Sequence, residues 1–331
     1  MKHKLFFRLI ACTVSLVSWN VARADEGGVA FWLSGQYASF AAVPQAPGFY
    51  VPVMSYFYHG EAGGGVDLQR GASIEANLKT DVPLTFVVPT WVPNIKFLGG
   101  QPQIGMAFGG GYNRTEASAL LTISSHTFGR SRTDELWGIT DLYPTVSLAW
   151  NAGVNNFMVY ATGDGPVGSY NSQRLANIGI GHGAVDWGAG YTYLNPKIGL
   201  EISAVGGFTY NLENDSTHYQ NGVDSHIDYA VSQFLSESFH VGLTGYLYYQ
   251  LSGDSGSGDL EGSFESKIAA IGGEMGYMFK LCDHPAYANV RGYYEYWAEN
   301  RVQGYALFAV VNIPLGGGKE PAVAPSPPVR K

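Results

Sequence analysis

Cysteine is nearly missing from this chain: 2 copies in 331 residues. Cys12 lies in a stretch read below as removed, and the one remaining thiol, Cys282, excludes an internal disulfide framework. Charge is scarce as well. Asp, Glu, Lys and Arg make up 14% of the residues, against roughly 25% in soluble domains. No stretch approaches the ~18 uninterrupted apolar residues of a membrane helix, and a helical period of 3.6 is nowhere sustained. Metal-ligand spacing is absent too. His59, His126, His182, His218, His226, His240 and His284 are scattered without an H-x-x-x-H pair or a cysteine partner, so no cofactor or metal is expected.

The amino terminus reads as an export signal. Lys2 and Lys4 supply the positive start and Leu5 to Val17 a mostly apolar stretch broken by Arg8. Ala22-Arg23-Ala24 is a small-x-small cleavage site before Asp25. A lipoprotein site at Leu9-Ile10-Ala11-Cys12 is the alternative, but it would strand a second apolar run behind the cut. Losing residues 1–24 removes four cations and no acid, taking the formal charge from −8 to −12. That balance argues against a nucleic-acid partner. Low charge behind a signal, without a membrane helix, leaves a secreted β-protein or an outer-membrane β-barrel.

What is present is alternation. Between Phe239 and Leu251 every odd position is apolar or glycine, while His240, Thr244, Tyr246, Tyr248 and Gln250 occupy the even ones. A strand turns successive side chains to opposite faces, giving one greasy and one wet face. Soluble strands usually run about 5–6 residues; a tilted bilayer crossing takes roughly 9–11. This run is long enough to cross. Val66–Lys79 alternates similarly, as do Val185–Tyr193, Leu200–Tyr210 and Ala288–Tyr296. Tight turns at Ala152-Gly153, Asn195-Pro196-Lys197 and Ser236-Glu237 alternate with polar stretches at Thr162–Gly183, Leu212–Gly222 and Ser252–Ser263. Short and long connections in turn are the pattern of an up-and-down barrel.

The expected fold is all-β: a transmembrane antiparallel up-and-down barrel of about 14 strands, or else 12, over residues 25–315. The predicted strands are 28–41, 65–80, 82–92, 102–113, 117–127, 141–151, 154–163, 184–194, 198–211, 223–234, 238–252, 265–279, 286–298 and 302–314. Pro83, Pro89, Pro93 and Pro102 should interrupt ladders in the third and fourth of these. The stretch 316–331, with Pro321, Pro325, Pro327 and Pro328, reads as an extended, disordered periplasmic tail.

Several motifs carry a chemical suggestion. Gly253-Asp254-Ser255-Gly256 looks like a serine-protease nucleophile loop, yet no histidine has the setting that chemistry needs, and a polar surface loop is the plainer reading. Gly179-Ile180-Gly181-His182-Gly183 lacks the G-x-G-x-x-G spacing of a phosphate cradle. His182 and Asp186 share a strand face and, with Arg174, could line a pore mouth or pack an external loop. His226 and Asp228 share another face, with His240 inward on the next strand. That trio is either a hydrolase-like set or lumen residues satisfied by neighbours. Tyr246 and Tyr248 face inward in this phase and could form an aromatic substrate path or simply pack the lumen. Many of the 22 tyrosines fall near strand ends, where amphipathic rings settle at headgroup level.

Asp141-Leu142-Tyr143-Pro144, Thr162-Gly163-Asp164 with Pro166-Val167-Gly168, and the run from Arg174 to Tyr193 resemble one family. So do Gly207-Phe208-Thr209-Tyr210-Asn211, the Y-Q-N-G-V-D run from Tyr219, S-Q-F-L-S from Ser232 and G-D-S-G-S-G from Gly253. The family is the outer-membrane transporters linked to the meta-pathway of phenol degradation, also called SphA-like. The resemblance spans roughly 28–315. It implies an outer-membrane channel for small hydrophobic or aromatic compounds, entered from loops at 42–64 and 164–183, and no enzyme. The expected partners are outer-membrane lipid, the aromatic or hydrophobic substrate and the barrel-assembly machinery. Such barrels usually end on an aromatic residue, whereas here a tail follows Leu315. A non-selective porin and a barrel-embedded hydrolase are the alternative functions.

Overall fold

The computed structural model describes residues 30–62, 67–70, 73–123, 126–259, 265–281 and 284–316. The predicted signal, the predicted tail beyond Gly316 and Cys282 lie outside them. The strands are β1 (Gly48–Glu61), β2 (Asp67–Arg70), β3 (Ser73–Ala76), β4 (Lys79–Val87), β5 (Thr90–Val92), β6 (Gln101–Ile123), β7 (His126–Ile139) and β8 (Tyr143–Ala152). There follow β9 (Asn155–Gly163), β10 (Ala184–Asn195), β11 (Leu200–Asn211), β12 (Asp224–Phe234), β13 (Phe239–Gln250), β14 (Lys267–Leu281), β15 (His284–Glu299) and β16 (Gln303–Gly316).

Fourteen of these strands form one antiparallel sheet, and β16 pairs with β1 to close it into a barrel. Twelve make the ring: β1, β4, β6 and β8 to β16. The other two extend ring strands. β5 resumes β4 beyond Val88-Pro89 and pairs with both β1 and β6. β7 runs into β8 through residues 140–142, and both pair along β6. Closure gives each of the twelve ring strands a neighbour on both sides, which a bilayer demands. No helix among the described residues is long and apolar enough to cross a membrane.

From β8 onward the sequence phase holds. In β13, Leu243 is 64% exposed and Tyr246 1%, so the odd residues meet lipid and the even ones the lumen. Val185, Trp187, Ile227, Met275, Val290, Tyr294 and Leu307 extend the outward apolar belt. Turns at one end are tight, helped by Gly153 (φ 71°) and Gly199 (φ 67°) in the left-handed region. Long connections (164–183, 212–223 and 251–266) lie at the other end, the external one in such barrels.

The first third departs from expectation. Residues 28–41 were expected to form the first strand, but 30–47 form none; Phe40 turns left-handed there (φ 67°). Their amides bond to wall side chains instead of a neighbouring strand. The true first strand is β1, inside the stretch expected as the external loop 42–64. Its Pro52 disguises it in the sequence, yet that residue sits where β4 breaks off, and its carbonyl accepts from Val88 N instead (2.8 Å). In its described residues the expected strand 65–80 is the β2–β3 hairpin plus the start of β4; Leu68 stands opposite Glu75 and Gln69 opposite Ile74, so the apolar positions of the run do not share one face. Expected strand 102–113 and residues 117–123 of the next fuse into the 23-residue β6, while His126 and Thr127 already belong to β7. At about 3.3 Å per residue that strand far exceeds a bilayer crossing, so the β6–β7 hairpin projects past the long-loop end.

Candidate functional site: a lumen with two closures

Residues 30–47 descend inside the barrel alongside β12, from the long-loop end to the short-turn end. Trp32 lies on His226 with ring centres 3.5 Å apart. Two residues along the wall, Asp228 Oδ1 accepts from Gly35 N (2.8 Å) and Oδ2 from Tyr37 N (3.1 Å). Arg291 on β15 donates to the carbonyls of Gly35 (3.0 Å) and Gln36 (2.7 Å). Lower down, Ser39 Oγ bonds Glu201 (2.8 Å), Ser232 (2.6 Å) and Glu274. Phe40 N donates to Glu201 Oε1 (2.9 Å), Phe40's ring meets Phe234, His240 and Tyr287, and Ala42 N reaches Thr192 (3.0 Å). Irregular backbone in a lumen must find partners for its polar groups. Wall carboxylates and Arg291 provide them here.

The second closure is the connection 164–183, a lid folded over the long-loop end. Strand β7 and its continuation hold it by the same device. Asp141 accepts from Gly168 N (2.6 Å) and Ile180 N (2.8 Å), and Asp134 accepts from Leu175 N (3.0 Å) and Ala176 N (3.3 Å). Asn113 Nδ2 donates to Asn177 O (2.6 Å). Leu175, fully buried, joins Ala62, Leu78, Ala117 and Val302 in a cluster bridging the barrel mouth. Asp164, at the start of the lid, has no hydrogen-bond partner for either carboxyl oxygen among the described residues. Burial first, and neighbouring Asp141 second, push its carboxyl up to about 8.

Between the closures lies a packed aromatic cluster. Tyr246, Tyr248, Ile268, Ala270, Tyr293, Ala306 and Phe308 pack together, with Leu33 of the luminal segment and Tyr56 and Tyr58 of β1 against them. Tyr246 OH donates to Glu295 Oε1 (2.6 Å), and the Arg301 guanidinium lies 5.0 Å from the Tyr248 ring centre. On the outer wall, by contrast, an apolar recess of about 330 Å³ opens between Phe49, Pro89, Trp91, Ile104, Met106 and Pro144. It sits where the prolines interrupt the ladder between β4 and β5.

The predicted residues separate into groups. Asp186 and His226 do meet: Asp186 Oδ2 contacts His226 Nε2 (3.0 Å) and accepts from Thr209 Oγ1 (2.6 Å). Asp228 is their neighbour on the wall, and Tyr246 and Tyr248 belong to the aromatic cluster. Arg174 does not join this group; it lies exposed on the lid. His182 is buried near the lid hinge, with Nδ1 on Gly183 O (3.0 Å) and Nε2 near Asn221 Nδ2 (3.4 Å). His240 is eight positions down β13 from Tyr248, His226's register partner, and pairs with Tyr287 OH (3.0 Å) at the short-turn end. The hydrolase trio is therefore not assembled. In the protease-like loop, Asp254 accepts from Gly222 N (3.0 Å), Gln250 and Tyr219, while Ser255 is bridged to Gln220. That motif clasps two loops. Among the described residues no three metal-ligating side chains come together.

Sequence reasoning missed Glu201, Glu274, Arg291 and Glu295, all buried charges on the luminal face. Each stands at the inward phase of an alternating strand; Arg291, for instance, lies between Val290 and Gly292. Charge on that phase was a readable signal.

The fold has solved relatives. A crystal structure of an outer-membrane channel from Pseudomonas putida F1 matches with a TM-score of 0.63 at 11% identity, covering 82% of this chain and 97% of that one. The translocator domain of the autotransporter NalP from Neisseria meningitidis matches less well: TM-score 0.41, 12% identity, 82% of this chain and 90% of that one. A Pseudomonas aeruginosa FadL homologue gives 0.36 at 7% identity, over 81% and 90%. No curated protein matches the chain. The family model described as "Putative MetA-pathway of phenol degradation" matches residues 62–310, well over half of the length. The chain is an outer-membrane β-barrel and belongs to that family.

Proposed function

We propose that this barrel takes up small hydrophobic or aromatic compounds passively across the outer membrane. The carrying observation is the packed aromatic cluster between Leu175 of the lid and Leu33 of the luminal segment. A water-filled general pore needs an open polar lumen, whereas rings and an irregular peptide fill this one. Both closures hang on hydrogen bonds outside the barrel ladder, so either can yield while the ring of strands stays intact. The route runs from the lid at 164–183 through the aromatic cluster and past residues 30–47. The expected entrance at 42–64 drops out because that stretch is largely β1. The family description and the channel from Pseudomonas putida F1 favour the same reading. Export after cleavage at Ala24, and a periplasmic tail at 316–331, belong to it as well.

The test is uptake into proteoliposomes. Phenolic and alkyl-aromatic probes should enter far faster than sugars of similar size. Equal rates would make the barrel a non-selective porin instead.

A further inference from the structure

Three of the polar atoms without a partner among the described residues belong to one group of stacked side chains in the upper lumen. Trp32 is 3% exposed and stacks on the His226 imidazole, with 14° between the planes. Tyr37 and Tyr160 flank it at 5.8 and 5.7 Å between ring centres. Its indole N–H finds no acceptor among the described residues. Asp186 Oδ1 and His226 Nδ1 also lack partners there, although Asp186 Oδ2 and His226 Nε2 bond each other. A buried indole N–H usually finds an acceptor, and unpaired buried donors and acceptors cost stability. The nest thus suits the flat face of Trp32 and leaves its polar atom unserved.

A ring bearing a hydroxyl matches the nest better. Its face would stack on His226, and its hydroxyl would donate to Asp186 Oδ1, a bond indole does not make here. Trp32 is also free to leave. The polar anchors of the luminal segment act from Gly35 downward, on Asp228, Arg291, Glu201 and Thr192, so the ring can swing out while the rest stays clasped.

We propose that the Tyr160–Asp186–His226 nest is a binding site for phenol-class solutes, and that Trp32 is its tethered occupant, displaced when the solute binds. The proposal rests on the uptake reading above and adds a site and a substrate class to it.

Trp32 is its own reporter. In protein cleaved after Ala24, and so without Trp19, with Trp91, Trp137, Trp150, Trp187 and Trp297 each changed to Phe, p-cresol should shift Trp32 emission to the red, saturably. Toluene should need about tenfold more ligand, a difference of ~1.4 kcal/mol, and Asp186→Asn should remove the gap. Silent Trp32 emission while p-cresol enters proteoliposomes overturns the site and leaves the uptake reading standing. A Trp32 response with no aromatic uptake upholds the site and removes the uptake reading. Should the five-fold variant not fold, calorimetry on Trp32→Ala decides. Vacating the nest should tighten p-cresol binding selectively. Equal binding of toluene would mark a mere apolar cavity and sink the proposal.

Discussion

The two closures are made of the same material and held differently. Both are irregular chain whose backbone amides are caught by carboxylates standing on strands. The luminal segment is gripped from β10, β11, β12, β14 and β15 by buried groups, with Arg291 adding a cation beside Asp228. Among the described residues the lid takes its carboxylate anchors from one side, Asp134 on β7 and Asp141 just beyond it, and residues 166, 167, 171, 173 and 174 are exposed at its surface. Distributed, buried anchoring resists local opening, whereas one-sided anchoring yields at lower free energy. The lid should therefore open more readily than the inner segment.

The largest way to break that contrast is to delete residues 31–46. Single-channel conductance should rise severalfold, provided heat-dependent gel mobility still reports a closed barrel; unchanged conductance would mean that the segment obstructs nothing. Next in size is Arg291→Ala. It strips the donor from the Gly35 and Gln36 carbonyls and leaves these acceptors unpaired, a loss of about 3 kcal/mol in all. Sugar leak should increase and the melting temperature fall; a variant indistinguishable from wild type would remove Arg291 from the clasp. Leu175→Ala should cost about 2 kcal/mol of lid packing. It should speed proteolysis within 164–183 while leaving the protection of 30–47 unchanged. Equal loosening of both segments would show that they move as one unit.

The smallest effect is the pH dependence of the lid. The Asp164 carboxyl, raised to about 8, holds its proton in the folded lid but loses it near pH 4 once undocked. Docking should therefore weaken as pH rises from about 4 to 8 and stay flat above. Proteolysis of 164–183 across that range measures it, and Asp164→Asn should flatten the profile. A wild-type lid that tightens with rising pH would invert the assignment.

Legibility follows the same division. From β8 to β16 lipid wets one face and the packed lumen the other, so each side chain reports its side and the alternation reads directly. Tyr246, Tyr248, Asp186, His226 and Asp228 were found that way. The luminal segment escaped because rings such as Trp32, Tyr37 and Phe40 look strand-like, while nothing local says that their amides bond Asp228 or Glu201 across the chain. Pro52 hid β1, since a proline is tolerated there only because β4 breaks off beside it. Arg174 was grouped with His182 and Asp186 by sequence proximity, but the lid carries it out to solvent.

On the uptake reading, the luminal segment must yield for solutes to pass. Ser39 Oγ and Ser232 Oγ lie 2.6 Å apart, close enough for cysteines at both positions to form a disulfide of about 2.05 Å. In a Cys282→Ser background, oxidised Ser39→Cys/Ser232→Cys protein in proteoliposomes should transport phenolic probes at background rate, and reduction should restore uptake. Undiminished transport by the fully oxidised protein would contradict the claim.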